Sequence, residues 1–172
     1  GVPQDDAEAA KWYQRAAEAG DSNGMSHLAA IYVKGRGVPH DDAKAFSWFL
    51  KAAQQGDTES AFNVAVCYLN GQGVTKNPTE ARGWFERAAL DNNAQAMYGL
   101  GVIYAHGNGL PSDPEKAFQW FHRAAVRGEP KAMYVLGQCY ADGIGTERDS
   151  AKAKDWLDKA AKAGIVDAKS EK

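Results

Sequence analysis

The sequence predicts an all-α fold, an α-solenoid of stacked antiparallel helix pairs built on 36-residue repeats. Three observations carry that reading. Four segments resemble one another: "YVKGRGVPHDDAKAFSWF" from Tyr32, "YLNGQGVTKNPTEARGWF" from Tyr68, "YAHGNGLPSDPEKAFQWF" from Tyr104 and "YADGIGTERDSAKAKDWL" from Tyr140. Those tyrosines are always 36 residues apart, and the same interval separates all five tryptophans, Trp12, Trp48, Trp84, Trp120 and Trp156. Glycine pairs keep step as well, at Gly35/Gly37, Gly71/Gly73, Gly107/Gly109 and Gly143/Gly145. A fixed period of this size marks an array in which each unit buries its apolar face against the next.

The period divides the chain into one repeat domain, 1–164, followed by a polar end, 165–172. Within the domain a half-repeat, 1–20, precedes full repeats at 21–56, 57–92, 93–128 and 129–164. Each repeat resolves into two helices. In the copy at 93–128, helix A is expected over Ala94 to His106, with Met97, Leu100, Gly101 and Tyr104 at i, i+3, i+4 and i+7 on one face. Gly107 stands where a glycine closes a helix in the left-handed conformation, and Gly109 opens the turn further. Asp113-Pro114 then supplies a capping acid and a proline at the first helical position. Asn77-Pro78 repeats the signal, and Asp5, Asp41 and Asp149 hold the cap in the other copies. Helix B presents Ala117, Trp120, Phe121, Ala124 and Ala125 on one side, the alanines permitting close approach. The Trp and its aromatic neighbour are expected to fill the gap between units.

Composition narrows the function classes. A net charge of −2 offers no basic field for duplex nucleic acid, and no apolar run approaches the roughly 20 residues that span a bilayer. Gly1-Val2 aligns with Gly37-Val38, so the sequence opens inside a repeat and reads as cut there. The compartment, envelope or cytoplasm, therefore stays open. At the other end, Lys169 and Lys172 take the positions of core Met97 and Leu100. Burying them is costly, so the array is expected to stop in a polar end.

Chemistry has little to stand on, and no catalytic, cofactor or metal-binding set is expected. The G-x-G element recurs with every repeat, which makes it a helix stop and a turn. No G-x-x-x-x-G-K-[ST] accompanies it. The four histidines, His27, His40, His106 and His122, form no H-x-x-x-H or Cys/His cluster. His106 beside Asp142 or Asn70 in the groove reads as a chance convergence across repeats. Cys67 and Cys139 share one repeat position and align with Ile31 and Ile103. Stacked helices lie about 8–10 Å apart, whereas a disulfide requires Cα atoms within about 7 Å. Both are expected reduced, as small buried hydrophobes; a metal or nucleophile role is the alternative.

Two-helix repeats with "AMYGLGVIYAHGNGL" followed by "DPEKAFQWFHRAAVRG", and again "AMYVLGQCYADGIG", resemble the Sel-one-like repeat (SLR) family, in the style of its bacterial members. That family is a branch of the tetratricopeptide-like α-solenoids. The resemblance runs from Gly1 to Gly164 and implies a right-handed solenoid that acts as a non-catalytic adaptor for a protein or peptide. A structural or self-assembling spacer is the competing class, and a hydrolase-type enzyme comes third. One branch of the family staples its helix pairs with disulfides, but this chain lacks the second cysteine per repeat. A monomer is expected.

In such folds helix A lines the concave surface, and the positions that vary between copies face outward. Those positions read Asn23, His27, Ala30, Lys34; Glu59, Asn63, Val66, Asn70; Gln95, Gly99, Val102, His106; and Lys131, Val135, Gln138, Asp142. Beside them runs the column Ser26, Phe62, Tyr98, Tyr134. The expected partner-binding residues are Phe62, Val66, Asn70, Tyr98, Val102, His106, Tyr134, Val135 and Gln138. The three aromatics admit two readings, packing between neighbouring A helices alone or packing combined with partner contact. A second column, Arg15, Lys51, Arg87, Arg123 and Lys159, follows each Trp by three residues. Cations in the last turn of helix B oppose the helix dipole, worth about 0.3–1 kcal/mol each. A ridge for an acidic partner is the other reading of that column.

Overall fold

In the computed structural model, residues 2–107 and 109–165 are described, with side chains from Asp6 onward. They hold nine α-helices and no strand. The polar end at 165–172, with Lys169 and Lys172, lies outside the described residues from position 166 on. Helix contacts gather into two compact units, Gly1–Asp91 and Asn92–Lys172. The first contains α1 (Val2–Glu18), α2 (Ser22–Lys34), α3 (Asp42–Gln54), α4 (Thr58–Asn70) and α5 (Pro78–Leu90). The second contains α6 (Ala94–His106), α7 (Pro114–Val126), α8 (Pro130–Asp142) and α9 (Ser150–Lys162). Within each unit every helix packs on the next along the chain, the stacked-pair architecture of an α-solenoid. The even-numbered helices are the A helices of their repeats and the odd-numbered ones the B helices.

Local sequence sets the helix ends. Asp21, Asp57 and Asn93 accept hydrogen bonds from the backbone N–H of Gly24, Ser60 and Ala96 at 2.7, 2.7 and 2.8 Å. The B helices are capped likewise by Asp41, Asn77, Asp113 and Asp149. These four caps are also pinned by the fold, because their own N–H groups donate to the carbonyls of Tyr32, Tyr68, Tyr104 and Tyr140 at 2.8–3.2 Å. The repeating tyrosine thus supplies a backbone acceptor that stops the chain from entering helix too early. At Asp5 the outcome departs from the expectation: α1 runs unbroken from Val2, so Asp5 is helical and not a cap.

Three of the B-helix caps are ionisable. The carboxyls of Asp41, Asp113 and Asp149 are held below the usual range, first by the backbone N–H of Lys44, Lys116 and Lys152 and then by those lysines' side chains. A depressed folded pKa stabilises above the unfolded value, near 3.9, and the benefit is lost as pH falls through the folded values. Thermal melts from pH 7 to pH 2 should therefore show the native chain losing more stability below about pH 4 than the triple variant Asp41→Asn/Asp113→Asn/Asp149→Asn. Parallel acid limbs for the two proteins would remove the caps from the pH dependence.

The core follows the repeat columns, with one exchange of roles. Met97, Leu100, Ala117, Phe121, Ala124 and Ala125 are all buried, as their spacing predicts. Glycine at position 101 serves that packing: a Cβ there would overlap the ring of Phe121. The tryptophans reach the neighbouring repeat but are only partly buried: Trp48 packs on a cluster that includes Ala17 of α1, and the Trp156 ring lies 6.2 Å from that of His122 on α7. Trp48, Trp84, Trp120 and Trp156 are half-buried and Trp12 is 62% exposed, whereas Phe49, Phe85 and Phe121, each one residue later, are at most 6% exposed. Adjacent helical residues point about 100° apart, so only one of the two can point straight into the stack. The aligned alanines select the phenylalanine.

Candidate functional site

The expected binding residues fall on the A helices, and their surroundings differ. On α4, the half-buried ring of Phe62 lies 5.8 Å from that of Phe85 on α5. Val66 is half-buried one turn on, and Asn70 is exposed at the helix end. In the second unit the structure brings Tyr98, Val102 and Val135 together around buried Ala117, Phe121 and Cys139. The Tyr98 ring sits 5.7 Å from Phe121, and burial, followed by the charge of Glu129, pushes its phenol pKa up. Phe62 and Tyr98 each meet the phenylalanine of their own repeat's B helix, and Tyr98 also joins Val135 and Cys139 of the next A helix. Tyr134 is half-buried and its hydroxyl accepts from Gln138 Nε2 at 3.0 Å; Gln138 and His106 are exposed. Gly99, expected on the outward arc, is buried.

In the first unit the space between α2 and α4 is an open cleft of about 450 Å³. Its floor is apolar, made by Ala30, Val66, Phe49 and Cys67, with Val33 on the wall. Its rim is polar, with His27 and Lys34 on α2 facing Glu59 and Asn63 on α4, and Gln72 beyond. Side-chain volume explains the opening. Ser26 and Ala30 stand at the repeat positions of Tyr98 and Val102, which in the second unit pack against the phenylalanine of helix B. Of the nine expected contact residues only Val66 lines the cleft, joined by His27, Ala30, Lys34, Glu59 and Asn63 of the outward arc. The signal that could have found it is two small side chains in columns that otherwise carry large ones.

Cys67 and Cys139 are free and buried. Burial raises the Cys67 thiol pKa to about 11, with Asp42 adding to the effect, and burial and Asp142 raise that of Cys139. Nucleophilic attack and metal ligation both need the thiolate, which such surroundings suppress. Among the described residues no three His, Cys, Asp or Glu side chains gather as metal ligands. His27 stacks on Tyr13 at 4.8 Å with Nδ1 2.9 Å from the Asn23 carbonyl. His40 bonds the Val33 carbonyl through Nδ1 and lies 3.3 Å from Asp42 through Nε2, which together raise its pKa. No helix among the described residues is long and apolar enough to cross a membrane.

The basic column has a partner that dipole reasoning overlooks. Arg15, Lys51, Arg87, Arg123 and Lys159 each lie over the tryptophan three residues before them, at 4.0–5.4 Å from the ring centroid. Such a contact is worth about 0.5–1 kcal/mol at an exposed site. The half-buried indole and the cation together form the outer face of helix B.

Comparison with known proteins agrees with this architecture. The Sel1 repeat matches at residues 1–21, 22–57, 58–93, 94–128 and 130–165. No curated protein sequence matches the chain. Among solved structures, a Sel1 repeat protein from Oxalobacter formigenes superposes with a TM-score of 0.88 at 33% identity, over 92% of this chain and 63% of that one. The c5321 protein of uropathogenic Escherichia coli, a protective antigen with an SLR fold, gives 0.87 at 33% identity, over 91% of this chain and 33% of that one. The chain therefore spans less than two thirds of either protein. Cysteine-rich protein B of Helicobacter pylori, at 21% identity and a TM-score of 0.61, shares the fold, over 76% of this chain and 94% of that one. Solenoids of this kind are known for protein–protein interaction and are typically non-catalytic scaffolds. With five matched repeats covering nearly every residue, on helix pairs that superpose on solved Sel1 repeat proteins, the chain belongs to the Sel1 repeat family.

Proposed function

We propose that the chain is a non-catalytic scaffold that holds a protein or peptide partner on the face formed by its A helices. The α2–α4 cleft carries this reading, because it is an apolar depression with a polar rim on that face. Binding sites for small groups are commonly apolar concavities with a few placed polar atoms. In the second unit the A helices offer Tyr134, Gln138 and His106 at the surface, beside half-buried Tyr98, Val102 and Val135. The outer face of helix B is less suited, since its cations already lie over its own indoles.

The test compares three immobilised proteins in capture experiments: the native chain, Ser26→Tyr, and Arg87→Glu/Arg123→Glu. Tyrosine occupies the matching column at Tyr98 and Tyr134, so the repeat accommodates it. A partner held on the A-helix face should be lost with Ser26→Tyr and kept by the double charge reversal. A partner lost only with the charge reversal would move binding to the B helices and to an acidic ligand.

A further inference from the structure

We infer that the α2–α4 cleft receives one bulky apolar side chain of an extended peptide that carries a basic residue two positions to one side and an acidic residue two positions to the other. The inference deepens the A-helix reading above and rests on it. Besides His27, the cleft lining includes two charged side chains, Lys34 and Glu59. Neither makes a hydrogen bond, ion pair or ring contact through its side chain among the described residues. Both are exposed, so a ligand seated in the cleft meets one charge of each sign beside an apolar floor.

Their separation sets the ligand's spacing. Lys34 is the last residue of α2 and Glu59 the second of α4. Both helices run antiparallel to α3 and hence parallel to each other, so the two charges mark opposite ends of the cleft. At a rise of 1.5 Å per residue, the ends of such helices are about 15 Å apart. An extended peptide advances about 3.3 Å per residue, so positions i−2 and i+2 are about 13 Å apart and share the face of residue i. Residue i lies over Ala30 and Val66, the basic neighbour meets Glu59 and the acidic neighbour meets Lys34. The helix N-termini do not cancel the acid end, because Asp21 and Asp57 already cap them.

The probe is a labelled peptide, Gly-Lys-Ser-Phe-Ser-Glu-Gly, titrated with the full chain at low salt and read by fluorescence polarisation. Three relatives accompany it: one with Ala for Phe, one with Lys at both charged positions, one with Glu at both. The mixed-charge Phe peptide should bind tightest, with the Ala version weaker by about tenfold or more. The like-charged versions should be weaker by about three- to fivefold, a difference that salt erodes. In Lys34→Glu, where both ends of the cleft are acidic, the doubly basic peptide should become the preferred one. Equal binding of all four, an unchanged ranking in Lys34→Glu, or no saturable binding of any of them overturns the inference. Those outcomes leave the A-helix scaffold reading to the capture experiment, whose failure is scored separately by Ser26→Tyr. Should Ser26→Tyr not fold, Ala30→Val, which places the residue of Val66 and Val102 in the same cleft, serves in its stead.

Discussion

Phe85→Ala is expected to lower the unfolding free energy by about 3–5 kcal/mol, the usual cost of emptying a buried aromatic site. Phe85 is 2% exposed and its ring meets that of Phe62, while its neighbours Ala81, Ala88 and Ala89 are buried with little side chain to refill the space. Trp84→Ala, although it removes the larger residue, should cost only about 1–2 kcal/mol, from partial burial and the loss of the Arg87 contact. Arg87 lies 5.4 Å from the Trp84 centroid on the solvent side of α5. Domains of ordinary stability have about 5–15 kcal/mol in hand, so the first variant should melt far earlier than the second. Urea denaturation of both, followed by circular dichroism, decides the matter. A larger loss from Trp84→Ala would return the indole to the core and overturn the assignment of the stack-facing column.

What the sequence made legible was whatever the period and a single helix determine. The span of α6 from Ala94 to His106 and the start of α7 at Pro114 follow from the apolar spacing, Gly107 and Asp113, and both are found there. What stayed hidden depends on a second chain segment. The cap at Asp41 is held extended by the Tyr32 carbonyl, an acceptor that no local pattern reveals. Trp84 and Phe85 are both aromatic and adjacent, and only the packing of α4 against α5 chooses between them. Candidate binding residues were sought by the presence of Phe62, Tyr98 and Tyr134. The cleft arises from absence, where Ser26 and Ala30 leave room that larger side chains close elsewhere. A column read for volume instead of identity would have pointed to it.

The two glycines of each G-x-G should differ sharply when mutated, although the repeat preserves both. Gly71 closes α4 at φ 75°, and the nearest atom to a Cβ built there is Lys76 Cβ at 3.5 Å, an ordinary contact. Gly71→Ala therefore meets only the left-handed backbone, which costs an L-residue about 1–2 kcal/mol. Gly73 has nearly the same φ, 69°, but a Cβ there would overlap the Asp42 carbonyl at the start of α3 and crowd the Ala43 nitrogen at 2.8 Å. Backbone atoms cannot swing aside as the end of a side chain can. Gly37 meets Asp6 and Ala7 of α1 in the same way, and Gly145 meets Pro114 of α7. The second glycine is thus the point where a turn lies directly on the N-terminal part of the preceding B helix. Gly73→Ala must move α3 away from that turn, and adding an overpacking cost of about 1–3 kcal/mol to the backbone strain gives a loss of about 2–5 kcal/mol. Because the contact joins successive repeats, hydrogen exchange should also quicken in α3 of Gly73→Ala while Gly71→Ala affects mainly the end of α4. Equal stability losses in the two variants would mean that both glycines serve the turn alone and that the repeats do not touch there.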